Sequence, residues 1–265
     1  MKILIIGSNG FVGKFLSRKL IDSGYQVAEM DVCAPDNNGR NFFLGDISSP
    51  EEIAKAARGV DAIINLAAKH HDFGVSPEEF FNVNVQGTQN ILDCAAEMDI
   101  KQFIFYSTVA VYGNHKAYTT EASVTEPVSE YGKSKLAAET LINKWILEDS
   151  SRQAVILRPT VVFGQGNYAN MYNLINSIYK KRFLFVGKGE NIKSVAYVEN
   201  LVDATIFLLE RLRPGVEVYN YSDYPQLNIE QIVKTIARYI PCDLSNLRLP
   251  LRPTLAAASL FDLMG

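Results

Sequence analysis

The sequence predicts an α/β fold, a parallel and doubly wound sheet followed by a smaller lobe of looser pattern. Three observations predict it. The chain opens with a strand, a glycine-rich turn and a helix. Short apolar runs then alternate with amphipathic stretches as far as residue 106. The carboxyl ends of those runs collect small and polar residues. At 265 residues the chain can hold one large α/β domain with a cap.

The first element is Lys2–Ile6, an apolar run that stops at Gly7, too short for a secretory core. The turn Gly7-Ser8-Asn9-Gly10-Phe11-Val12-Gly13 follows, and a helix is expected from 14 to 23. Gly7 suits a tight turn, Gly10 lets backbone approach a pyrophosphate, and Gly13 allows close packing of helix on strand. The helix N-terminus offers free N–H groups and a positive dipole end to phosphates. Residues 26–30 read as a second strand ending at Asp31, about 20 positions beyond the glycines, where a carboxylate holds a ribose 2′-hydroxyl. That carboxylate repels a 2′-phosphate, so NAD is expected over NADP.

Residues 41–44 read as a strand running into Gly45-Asp46-Ile47, and a helix starts at Pro50 with Ser49 as its cap. Residues 61–66 form a buried-type strand ending in Asn65-Leu66-Ala67-Ala68. Residues 80–98 carry a long helical pattern, and Gln102–Tyr106 is another apolar strand, leading to Ser107-Thr108. Ligands in such sheets sit outside the carboxyl ends of the strands. Near the midpoint stands Tyr131-Gly132-Lys133-Ser134-Lys135, whose Tyr131 and Lys135 share one helix face. A phenol ionises at about 10, and a neighbouring ammonium favours the phenolate, which makes a general acid/base near neutrality.

Beyond Gly164 the alternation loosens. Helices are expected over 171–181, 198–212 and 228–239, the last capped by Asn228, with strands over 183–186 and 216–221. Lys180, Lys181 and Arg182 read as a solvated charge run. The boundaries expected are a dinucleotide-binding domain over 1–165, with a return segment near 190–212, and a substrate lobe over 166–265.

Composition narrows the function. A net charge of −3 offers no surface for nucleic acid or membrane built on charge. No apolar run approaches the roughly 20 residues of a membrane span. Cys33, Cys94 and Cys242 are scattered, which suits a reducing cytoplasm. Adjacent His70 and His71 point apart and make poor joint ligands, so no metal is expected.

The matching pieces Gly7-x-x-Gly10-x-x-Gly13, Asp31, Gly45-Asp46-Ile47, Asn65-Leu66-Ala67-Ala68 and Asn84-x-x-Gly87-Thr88 stand in order. They continue with Ser107-Thr108-x-x-Val111-Tyr112-Gly113, Tyr131-x-x-x-Lys135 and Arg158-Pro159-x-x-Val162-Phe163-Gly164. Together they resemble the extended short-chain dehydrogenase/reductases of the NAD-dependent epimerase/dehydratase family, in the nucleotide-sugar branch. The resemblance covers the first two thirds of the chain and continues in Gly187-Lys188-Gly189 and in Tyr197-Val198-Glu199-Asn200.

The resemblance implies a Rossmann-type sheet and NAD as cofactor. It assigns Gly7, Asn9, Gly10, Phe11, Val12, Gly13, Asp31, Asp46, Ile47, Leu66, Ala67, Ala68, Asn84, Tyr131, Lys135 and Pro159 to the cofactor. Thr108, Tyr131 and Lys135 become the catalytic residues: Tyr131 is the acid/base, Lys135 holds the nicotinamide ribose, and Thr108 bridges substrate and tyrosine. Asn84 orients the helix of Tyr131. Thr108, Asn167 and Lys193 would meet a nucleotide-sugar, UDP-linked, with Lys193 in place of the family's usual arginine. His70-His71-Asp72 is either a surface loop or a sugar contact.

The function implied is an NAD-dependent nucleotide-sugar epimerase working through a transient keto-sugar by hydride transfer. The alternatives are a nucleotide keto-sugar reductase, a hydroxysteroid or flavonol-type reductase, and a non-catalytic NAD-binding regulator. Val109 and Ala110 stand where the dehydratases carry an Asp-Glu pair, so elimination is not expected. A homodimer through the helices near 80–98 and 131–147 is also implied. The apolar close over 255–265 implies a substrate lobe incomplete at its C-terminus.

Overall fold

The computed structural model describes residues 1–35, 41–70, 74–114, 118–240 and 248–249. Thirteen strands run through these residues: β1 Lys2–Ile6, β2 Gln26–Asp31, β3 Phe42–Leu44, β4 Ala62–Asn65, β5 Gln102–Tyr106 and β6 Gln153–Pro159 come first. The short β7 Val161–Phe163, β8 Phe185–Val186, β9 Ile192–Lys193 and β10 Val195–Tyr197 follow, then β11 Gly215–Tyr221, β12 Leu227–Asn228 and β13 Arg248–Leu249. The helices are α1 Phe11–Asp22, α2 Pro50–Ala56, α3 Pro77–Phe81, α4 Gly87–Glu97, α5 Glu130–Glu148, α6 Asn170–Tyr179, α7 Val198–Leu209 and α8 Ile229–Tyr239.

Seven strands make the main sheet in the order β11-β6-β5-β4-β1-β2-β3, all paired in parallel. This is the Rossmann-type order, reversing direction at β1. Ile3, Leu4, Ile5 and Ile6 are all fully buried, because helices cover both faces of a parallel sheet. Leu4, Ile6, Met30, Phe103 and Phe105 join the cluster with Ile53, Leu92, Ile142 and Trp145 of α2, α4 and α5. Ile3, Ile5, Ile64, Ile104 and Leu157 join Leu16 and Leu20 of α1 and Leu201 of α7 on the other face.

The chain divides into two units. The first is Met1–Val162 with Ala196–Tyr221; the second is Phe163–Val195 with Ser222–Gly265. The return segment, expected near 190–212, is Ala196–Tyr221, and its end lies later because β11 pairs with β6 along seven residues and completes the sheet. The run Ala154-Val155-Ile156-Leu157, buried at the centre of β6, carries no flanking glycine and escaped the strand pattern. In the second unit, α6 and α8 enclose Ile178, Phe185 and Val233. Asn228 and Gln231 form a reciprocal capping box at the start of α8.

Three expected details change. Helix α1 starts at Phe11, not Lys14, so it begins directly after Gly10. Ser49 stands before α2, yet its side chain makes no cap bond; Glu52 instead accepts from the Asp46 N–H at 2.7 Å. The long pattern over 80–98 is broken by a π turn at Asn82–Gln86 between α3 and α4.

Candidate active site

The glycine turn is shaped by close backbone approaches. Gly7 has φ +82°, and a Cβ there would lie 2.7 Å from the Ala67 nitrogen. A Cβ on Gly13 would lie 2.3 Å from the Gly7 carbonyl oxygen, so only glycine lets α1 sit this tightly on the turn. Gly10 is exposed and caps α1 with no side-chain hydrogen bond and no acid in the first turn. The first N–H groups of α1 thus have no side chain in front of them.

Asp31 closes the other side of the turn. Its Oδ2 accepts from the Asn9 N–H at 2.9 Å and its Oδ1 from the Cys33 N–H at 3.0 Å. Each oxygen keeps a lone pair for a ligand hydroxyl. Asn9 in turn donates through Nδ2 to the Cys33 and Ala34 carbonyls. The Gly45 N–H donates to the Asp31 carbonyl, which sets Asp46 beside the same strand ends; Asp46 is exposed and Ile47 buried. Ala67 donates to the Asn65 side chain at 3.0 Å, and Leu66 to the Ile6 carbonyl, so this loop stands against Gly7. A bare helix N-terminus, a cradle that a Cβ on Gly10 would narrow, and a carboxylate at the β2 end together fit a dinucleotide.

Tyr131 and Lys135 lie in the first two turns of α5, whose N-cap Ser129 accepts from the Gly132 N–H at 3.1 Å. Tyr131 is half-buried with its ring centre 6.4 Å from that of Phe80. Lys135 is 1% exposed, its ammonium 4.1 Å from the centre of the Phe105 ring. Burial pushes Lys135 down to about 7, and Glu139 pulls partly the other way. Burial thus weakens the hold of Lys135 on its proton relative to what the spacing alone suggests.

Two contacts hold α5 in place. Gly132 packs on the turn Val109–Tyr112 so tightly that a Cβ would lie 2.7 Å from the Ala110 carbonyl oxygen. Buried Asn84, inside the π turn, exchanges two hydrogen bonds with the Lys69 backbone and donates to the Ser134 Oγ at 2.9 Å. Ser134 donates onward to the Tyr131 carbonyl. Thr108 starts the Val109–Tyr112 turn, its Oγ1 accepting from the Ala110 N–H at 3.2 Å. That bond leaves the hydroxyl proton for another acceptor.

Behind this face lies a buried polar group. Ser107 donates to the Glu139 Oε1 at 2.5 Å, and Arg158 grips both Glu139 oxygens. Arg158 also donates to the Tyr112 hydroxyl at 2.7 Å, which donates to Asn220. Sequence reasoning missed Glu139, although it follows Lys135 by four residues as Lys135 follows Tyr131. Pro159 is buried at the end of β6. Asn167 and Lys193 belong to the second unit, Asn167 accepting from the Ala169 N–H and Lys193 sitting half-buried on β9. His70 is exposed; His71, Asp72, Cys242 and the run 255–265 lie outside the described residues. Among the described residues no group of His, Cys, Asp and Glu could hold a metal. No described helix is long and apolar enough to cross a membrane.

A glycine cradle, an acid at the β2 end and a Tyr-Lys helix thus belong to one sheet and its flanking helices. The model of the NAD dependent epimerase/dehydratase family matches residues 3–222. The chain belongs to that family. It is accordingly an NAD-dependent enzyme of the extended short-chain dehydrogenase/reductase type. Among relatives of this chain, the N-acetyl-alpha-D-glucosaminyl-diphospho-ditrans,octacis-undecaprenol 4-epimerase of Escherichia coli O157:H7 is 35% identical, over 99% of this chain and 80% of that one. The UDP-glucose 4-epimerase of Vibrio cholerae is 30% identical over 89% of this chain and 74% of its own. The solved UDP-glucuronic acid 4-epimerase of Bacillus cereus shares the fold with a TM-score of 0.82, at 24% identity, covering 94% of this chain and 87% of that one.

Proposed function

We propose that the enzyme is a 4-epimerase of a sugar held through a diphosphate on a carrier. The observation that carries this reading is the placement of Tyr131 and Lys135 on the turns of α5 that Gly132 and Asn84 hold against neighbouring loops. When bound, NAD supplies the acceptor and donor of hydride. Tyr131 would take the proton of the sugar hydroxyl as the hydride leaves the same carbon, which gives a keto-sugar, and would return the proton as hydride comes back to the other face of the ketone. Lys135 favours the phenolate whenever it is protonated and stands where the family holds the nicotinamide ribose. Thr108 has a hydroxyl proton to give between substrate and Tyr131. Val109 and Ala110 cannot move a proton, which argues against dehydration.

The carrier divides the readings. Identity to the undecaprenol-linked epimerase, over nearly the whole chain, supports a polyprenyl diphosphate. The UDP-glucose epimerase, less similar over a shorter span, supports a nucleotide-sugar, with Asn167 and Lys193 as its contacts. The test is incubation with UDP-glucose, UDP-N-acetylglucosamine and polyprenyl-diphospho-N-acetylglucosamine, reading products by NMR and NADH by absorbance. An epimer without net NADH change is expected, strongest on the lipid-linked sugar. Stoichiometric consumption of NADH with a keto-sugar would instead make the protein a reductase. Tyr131→Phe should lose turnover by roughly 10²-fold or more while still binding NAD.

A further inference from the structure

Helix α6 turns one apolar face inward and leaves a second one outside. Met171 and Ile178 are buried, and Leu174 packs against the core of the second unit. Tyr168, Tyr172, Ile175 and Tyr179, at spacings of four, three and four, are 75%, 41%, 36% and 65% exposed. These spacings put them on one side of the helix and the turn before it, with no charge in the stripe. Tyr168 and Tyr172 meet edge to face at 5.0 Å. An exposed stripe of large apolar groups marks an interaction surface.

Charge at the end of the stripe says what fits it. Lys180, Lys181 and Arg182 follow directly, all exposed, and among the described residues none is ion-paired. The segment Phe163–Val195 holds five Lys and Arg against the single acid Glu190, in a chain whose net charge is −3. Tyrosines whose rings are apolar and whose hydroxyls are wet, beside unpaired cations, match the boundary of an anionic bilayer. We propose that the outward face of α6 and its terminal cations dock the second unit onto an anionic lipid surface. The proposal rests on the reading that the sugar is carried by a polyprenol, whose diphosphate head stays at that boundary.

The test is co-sedimentation of the full chain with vesicles of phosphatidylcholine alone or with phosphatidylglycerol added. Binding to the anionic vesicles alone is expected, weakened by added salt. The triple variant Lys180→Gln, Lys181→Gln, Arg182→Gln should bind roughly 100-fold more weakly. The pair Ile175→Ser and Tyr179→Ser should bind at least tenfold more weakly, with folding checked by circular dichroism; the charge variant decides if the pair fails to fold. No binding by the native chain, or binding unchanged in the charge variant, overturns the proposal. So does a concentration-dependent dimer that the Tyr179 pair abolishes without affecting vesicles. Epimerase activity on UDP-sugars and lipid-linked sugar is followed in parallel. For the native chain, no vesicle binding with activity present rejects the surface alone, and no activity with vesicle binding present rejects the assigned reaction.

Discussion

Glu139 receives Arg158 through both carboxylate oxygens, Nε reaching Oε1 at 2.9 Å and Nη2 reaching Oε2 at 2.5 Å, with both side chains under a tenth exposed. Removing one charge from such a pair leaves the other buried and uncompensated, which costs about 3–5 kcal/mol. Glu139→Gln keeps the shape and removes the charge. Its urea midpoint should fall by the equivalent of that cost; a loss under about 1 kcal/mol would contradict the burial of the pair.

Gly132→Ala should strike catalysis harder than stability. The added methyl meets the Ala110 carbonyl and Pro127, and carbonyl backbone yields little, so the first turn of α5 must move away from Thr108. Tyr131 moves with it. A small displacement of a reacting group costs about 10²-fold in rate. Titration with NAD should change less than kcat, since the cradle at Gly7 and Gly13 lies on another element.

Asn84→Ala should cost about 1–3 kcal/mol, because the half-buried Lys69 backbone and the buried Ser134 hydroxyl lose a partner. The variant also frees the Tyr131 turn from the loop after β4. Thermal unfolding and kcat measured together should both fall. An unchanged kcat would separate Asn84 from the alignment of α5.

The stability of the NAD-free protein should depend on pH through Lys135. Its folded value is about 7, against an ordinary 10.5 that the unfolded chain retains. Between those values the unfolded chain binds more protons at this site than the folded one. Its contribution to stability therefore rises as pH climbs through 7 and levels off near the ordinary value. Lys135→Met should flatten that rise in melting curves taken from pH 6 to about 10. Parallel curves for the two proteins would sink the argument.

Most of the first unit was legible because strand and glycine are local signals. Lys2–Ile6 and Gln102–Tyr106 are runs of apolar residues with clear ends, and the structure places strands on both. β6 was missed because it lacks such ends; β11 was expected over 216–221, but its pairing with β6, Gly215 opposite Gln153, joins residues 62 apart and no local pattern announces it. Asn84 was singled out by resemblance, but its partners Lys69 and Ser134 depend on a π turn that no periodicity announces. Glu139 was hidden by a different cause. A charged residue on a helix normally faces water, and only the fold reveals that Arg158 and Ser107 wait for it in the interior.

The second unit is written in two separate stretches of the gene, 163–195 and 222–265, with the α7–β11 stretch between them. A single recombination event after residue 162 would therefore exchange not only this unit but also the edge strand of the main sheet. Chimeras between relatives that aim to exchange the second unit need both stretches from one parent and 196–221 from the other. An exchange that keeps the second unit whole is expected to travel in paired blocks, leaving the sheet's own edge with its ancestral partner.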